Sequence, residues 1–103
     1  MGHMTCRVIA DFTFKEGWCE KIRVMVKDEK MVFLTANFEG CIDIDMDNPN
    51  RMILTETWEE SEHHSKYMEF RQTEGPEGVV AQILDNLCQE PVFSWSDVDY
   101  KGQ

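Results

Sequence analysis

Tyr67 and Arg71 stand four residues apart in a stretch of helical periodicity, so they share one face. A phenol hydroxyl beside a guanidinium can hydrogen-bond a substrate oxygen and hold it as a phenolate or carboxylate, provided the shared face looks into a cavity. The plainer alternative is a tyrosine packed at a helix–sheet seam and an arginine paired with a surface acid. His63 and His64 invite a metal ion, but adjacent helical side chains point about 100° apart and do not readily chelate one centre. Glu59 with His63, or Glu60 with His64, supplies only two ligands, so a solvated helix start is expected there. Asp43, Asp45 and Asp47 share one strand face about 6.6–7 Å apart and read as the wet side of a hairpin, with a hard cation the weaker alternative. Cys6, Cys19, Cys41 and Cys88 include no CxxC pair, so zinc and thioredoxin-like readings fail. They are expected to be reduced, mostly buried thiols. No metal site is expected.

These side chains need elements to position them. Residues 5–14 alternate Cys6, Val8, Ala10, Phe12 and Phe14 with polar or opposite-facing neighbours, which predicts a strand. Trp18, Ile22, Met25, Val32, Phe33 and Ala36 fall at helical spacings, predicting a helix from Trp18 to about Ala36 that ends at 37–40. Residues 41–47 predict a second strand with Ile42, Ile44 and Met46 on one side. A turn follows at 47–50, where Pro49 fixes φ and the asparagines tolerate left-handed backbone. The return strand at 51–58 completes a hairpin. Ser61 can cap a helix running to about Gln72. A third helix starts at Pro76 with Val79, Val80, Ile83, Leu84 and Leu87 as its apolar stripe, and Pro91 stops it. Residues 92–99 predict the last strand.

The resulting order is strand, helix, two strands, two helices, strand. It predicts an α+β ferredoxin-like antiparallel sheet with helices on one face. Ile9, Ile53, Phe93 and Trp95 are read as opposing the helix-covered face, so that face too is apolar and wants cover. Two sheets packed back to back, a homodimer through the sheet face, is the simplest solution. Trp95 and Trp18 are expected in the core or at that interface.

The chain has 103 residues, room for one core, with 42% apolar residues and a net charge of −10. Twenty acidic residues against ten basic ones argue against nucleic acid and against anionic membrane surfaces. No apolar run approaches the roughly 18–20 residues of a membrane span, and no signal peptide is evident, so a cytoplasmic protein is expected. A single domain over residues 4–100 is expected, with residues 1–3 a cloning remnant.

The stretch EGCIDIDMDNPNRMILTETWEESEHHSKYMEFRQ carries Gly40-Cys41, a strand, the turn at 47–50, a strand ending Glu56-Thr57-Trp58-Glu59, and a helix. It resembles the antibiotic biosynthesis monooxygenase domain family, of the dimeric α+β barrel group. VIADFTFKEG and PVFSWSDVD look similar to the family's first and last strands. The resemblance implies a dimeric α+β barrel and a cavity between sheet and helices that Trp58 would line, stacking on a flat aromatic substrate. Some members oxidise polycyclic phenols with O₂ and no metal or flavin, so no cofactor is expected. Others degrade haem, or act on a phosphorylated quorum-sensing signal. Haem-degrading members ligate iron through a helix histidine about ten residues after the tryptophan, where this chain has Met68, which disfavours both those branches. The resemblance thus implies a cofactor-independent monooxygenase, or a related enzyme, acting on a flat phenolic small molecule. Trp58 would stack, Tyr67 would hydrogen-bond and Arg71 would balance charge. The alternatives are a non-catalytic small-ligand binder of the same fold and a dimeric interaction protein with a filled core.

Overall fold

The computed structural model describes residues 5–28 and 38–99. Strand β1 (Cys6–Thr13) buries every second residue, as its alternation requires: Cys6, Val8, Ala10 and Phe12 lie under the helices. Helix α1 (Trp18–Asp28) buries Cys19 and Ile22 against that face, with Met25 and Val26 packed beside them. The remainder of the expected long helix, residues 29–37, lies outside the described residues. Gly17, at φ 83°, supplies the left-handed turn between β1 and α1.

Strand β2 (Phe38–Asp45) starts three residues earlier than the sequence suggests, and β3 (Asn48–Trp58) takes in Pro49 and Asn50, which were expected in the turn. The turn is Met46–Asp47, closed by Asp45 Oδ1 accepting from the Asp47 backbone N–H at 2.8 Å. Asn48 repeats the device, accepting from Asn50 N–H at 3.0 Å, and a register shift between Ile44 and Asp45 absorbs the extra residues. Met46 is consequently exposed at the hairpin tip instead of joining Ile42 and Ile44 in the core. Helix α2 (Ser61–Gln72) is followed by a 3₁₀ turn (Gly75–Glu77) and helix α3 (Val79–Asp85). Gly78 separates the two, so the single third helix of the sequence reading is split. Leu87 leaves the helix and bridges to Phe14. Strand β4 (Val92–Asp97) completes the sheet.

The sheet order is β2-β3-β1-β4, all antiparallel, which is the ferredoxin-like arrangement. Cross-strand partners project to the same side. Phe93 pairs with Ala10 and Trp95 with Val8, so both rings lie on the helix side, where Phe93 meets Phe12 edge-on at 5.8 Å. This corrects their expected position on the opposite face. That face instead carries Arg7, Ile9, Asp11, Ile53, Thr55 and Ser94 among others, and Arg51 there binds Asp11 at 2.7 Å and Asp45 at 2.9 Å. Of the four apolar residues expected there, Ile9 and Ile53 remain. Trp95 is 59% exposed, because the helices cover β1 and β3 and stop short of β4; Trp18 is part-buried against the core, with Lys21 over its ring. Cys6 and Cys19 are buried, Cys41 and Cys88 exposed, and all four are free.

Candidate functional site

The apolar face of β3 reads Met52, Leu54, Glu56, Trp58 in steps of two, so one carboxylate stands among core residues. Opposite it, α2 turns Tyr67 and Arg71 inward; they are its two buried residues. Between sheet and helices lies a cavity of about 580 Å³. Its wall is mostly apolar, from Val8, Ala10, Leu54, Ile83, Phe93 and Trp95 among others, and its polar side chains are Glu56, His64, Tyr67 and Arg71. The volume suits a small ligand of a few rings, and an apolar chamber with a few polar groups is the usual build of a ligand site.

The geometry at the polar groups is tight. Arg71 Nε donates to the Tyr67 hydroxyl oxygen at 2.7 Å, and its Nη1 donates to both Glu74 oxygens at 2.8 and 2.9 Å. The guanidinium carbon also stands 5.0 Å from the Tyr67 ring centre. Arg71 is only 3% exposed, so its charge survives through these partners. Burial works against that charge, and the Tyr67 and Glu74 oxygens more than offset it. For Tyr67, burial pushes the phenol up and Arg71 opposes it, with the net shift upward. Gly78 packs against Glu74: a Cβ there would lie 2.5 Å from Glu74 Cβ.

Trp58 is completely enclosed and does not reach the cavity wall. Its ring packs on Tyr67 at 5.3 Å and on His64 at 5.7 Å, both of which line the cavity. Its indole Nε1–H donates to Glu56 Oε1 at 3.2 Å. Trp58 therefore backs the wall, out of reach for the direct stacking expected of it, and Phe12, Tyr67, Phe93 and Trp95 are among the aromatic rings that do line the cavity. The structure does bring Trp58, Tyr67 and Arg71 together at one end of the chamber.

Two site residues were not assigned from the sequence. His64, expected at a solvated helix start, is part-buried on the cavity wall, and burial holds its imidazole below the ordinary value. Glu56 is the second. Burial raises its carboxyl, while the Trp58 N–H and the Arg71 charge pull the other way without cancelling the rise. Its signal was present in the alternation, since an acid two residues before a buried tryptophan shares the tryptophan's face. Among the described residues it is the one carboxylate lining the cavity. The aspartates are engaged elsewhere: Asp45 with Arg51 and the turn, and Asp43 with the Cys41 thiol.

Solved structures with this arrangement decide the fold. A Nitrosomonas europaea protein provisionally named an antibiotic biosynthesis monooxygenase superposes with a TM-score of 0.77 at 14% identity, over 97% of this chain and 95% of its own. This chain has the antibiotic biosynthesis monooxygenase fold. A Chloroflexus aurantiacus protein of the same provisional name gives 0.71 at 13% identity, covering 96% of each chain. One from Bordetella bronchiseptica gives 0.69 at 15%, covering 95% of this chain and all of its own. No family model matches the sequence, and no curated protein does. At such identities the monooxygenase-type fold is shared and the chemistry must be argued from the cavity. No helix among the described residues is long and apolar enough to cross a membrane.

Proposed function

We propose that the protein is a small-molecule enzyme, a cofactor-independent oxygenase or close relative, acting on a flat phenolic substrate. The observation that carries this is the cavity itself: an apolar chamber of about 580 Å³ whose polar groups gather on α2 and on the facing end of β3. A planar substrate would bury its rings against Leu54, Ile83, Phe93 and Trp95. Its oxygen would meet Tyr67 and Arg71. Trp58 would act through Tyr67 and Glu56, fixing their orientation. An electron-rich phenolate supplies the electrons for O₂, so the protein's part is to position the substrate, stabilise its negative oxygen and exclude water. The names of the structural neighbours point the same way.

Oxygen uptake with a panel of phenols and hydroquinones tests this. Turnover is expected with fused-ring phenols, and Arg71→Ala and Trp58→Ala should each lower it at least tenfold. Unchanged turnover in both variants refutes the site. Binding without any oxygen uptake leaves a ligand-binding protein instead. The homodimer is proposed with the open sheet face at its interface, now centred on Ile9 and Ile53 within a polar surround. Ile53→Lys should then convert a dimer to a monomer in sedimentation analysis, and a wild-type monomer would refute it.

A further inference from the structure

Glu56 is a carboxylate set among apolar core residues. It occupies a position on β3 between Leu54 and Trp58, on a face otherwise built from core residues, and it is only 9% exposed. A carboxylate in such surroundings is costly unless it is hydrogen-bonded or paired. Among the described residues it accepts one hydrogen bond, from Trp58 Nε1–H to Oε1. Among the described residues none is made to its Oε2, on a side chain that lines the cavity. The adjacent Arg71 is already held by Glu74 through both carboxylate oxygens.

We propose that Glu56 is the proton acceptor that converts the bound phenolic substrate into its phenolate. This rests on the phenolic reading above and adds to it the residue that makes the reactive anion. The substrate O–H bond breaks, its electron pair stays on the substrate oxygen, and the proton forms a new O–H bond at Glu56 Oε2. Nothing is oxidised in this step. The count of charges in the chamber is unchanged: one negative charge leaves Glu56 and reappears on the substrate oxygen, beside the Tyr67 hydroxyl and the Arg71 guanidinium. Ionisation to bulk water would instead add a second negative charge to an apolar chamber, which the low local dielectric opposes. Burial also makes Glu56 a stronger base than an exposed carboxylate, closer to the pKa match that general-base catalysis needs.

Among the described residues, the other titratable groups that face it come from one helix. Helix α2 presents His64, Tyr67 and Arg71, while the Cys41 thiol of β2 lies on the opposite sheet face beside Asp43. From β1, β4 and α3 the wall receives apolar side chains only. Tyr67 is pushed upward and is a proton donor at neutral pH, so it is no base. His64 is neutral there and competes for the role, which makes it the natural control.

Anaerobic binding of 4-nitrophenol, buffered below its own pKa, separates the possibilities, because its two forms absorb differently. Wild type is expected to bind it with the phenolate band present and no proton released to a weakly buffered solution. Glu56→Gln keeps an oxygen for the Trp58 N–H and should bind the neutral phenol, with the bound phenolate fraction down about tenfold or more, the effect of one pKa unit or more. His64→Gln should retain the phenolate band. A wild-type phenolate that appears with stoichiometric proton release overturns the proposal without any variant. So does Glu56→Gln matching wild type, or His64→Gln losing the band while Glu56→Gln keeps it; in these cases the cavity reading stands. Failure of wild type to bind the phenol at all overturns both.

Discussion

Gly78→Ala sets two known effects against each other, and the structure decides the sign. Gly78 has φ −72° and ψ 164°, a backbone conformation open to any residue. On backbone grounds alone, alanine should stabilise by about 0.4–1 kcal/mol, because it restricts the unfolded chain. The new Cβ, however, would lie 2.5 Å from Glu74 Cβ, 3.0 Å from Glu74 Oε1 and 3.3 Å from the Gly75 carbonyl oxygen. Carbon atoms in good contact stand about 3.5–4.0 Å apart, so roughly 1 Å of movement is required. The Glu74 Cβ is one bond from the backbone, and no side-chain rotation removes it. The 3₁₀ turn itself must shift, carrying the Glu74 carboxylate away from Arg71. Overpacking costs about 1–3 kcal/mol, and the disturbed ion pair adds to it. The net expectation is destabilisation by about 1–2 kcal/mol, which for a domain of this size lowers Tm by about 4–15 °C. Thermal unfolding by circular dichroism measures it. Pairing with Glu74→Gly removes both the colliding Cβ and the carboxylate. The double variant should therefore be more stable than the sum of the single effects predicts. A Gly78→Ala protein more stable than wild type would refute the close packing of Gly78 on Glu74, and with it the account of how Arg71 is held.

Tyr67→Phe leaves the Arg71 Nε–H without its 2.7 Å acceptor in a buried place, so urea titration should show a loss of about 1–3 kcal/mol. The raised carboxyl of Glu56 gives a signed pH effect. The folded state holds that proton more tightly than the unfolded chain, so stability falls as pH rises from the ordinary carboxylate value through the folded one. Glu56→Gln should lack that fall and be the more stable protein above it. A wild-type-minus-variant difference that does not change with pH between about 4 and 8 would contradict the assigned burial. The His64 imidazole should titrate below the ordinary histidine value when followed by proton NMR, and its charging should destabilise the fold as pH drops through that point. A normal or raised value would place the ring in solvent instead of on the cavity wall.

The strands and α2 were legible because their periodicity is strong. Cys6 through Phe12 alternate cleanly, and Ser61–Gln72 matches the expected helix span, although Glu60 and not Ser61 holds the N-cap position and no side-chain cap hydrogen bond forms there. The hairpin was displaced because Pro49 draws attention as a turn residue. The stronger local interaction is Asp45 accepting from the Asp47 N–H, which puts the reversal two residues earlier and leaves Pro49 exposed in β3 next to the irregularity. Phe93 and Trp95 were assigned to the wrong face for a different reason. Alternation within β4 defines two faces without saying which is inward, and only its register with β1 settles that. Tyr67 and Arg71 could be paired from spacing alone, since four residues on a helix fix a shared direction. The enclosure of Trp58 depends on how α2 lies across β3, a long-range fact that local pattern does not carry. Glu56 was readable in principle and was hidden by the tryptophan beside it.

Strand β4 lies against β1, with Asp97 opposite Cys6, so the first and last described strands are neighbours. Such a pairing has high contact order, and its loop-closure entropy must be met before any contact repays it. The hairpin of β2 and β3 can form from local contacts well before that. Phe93 and Trp95 reach the chamber only when β4 docks, so the proposed substrate would find its full site only late in folding. A small ligand that spans from Tyr67 to Trp95 would therefore tie the two ends of the folding unit together, and its binding would slow the detachment of β4 more than it slows any other local opening.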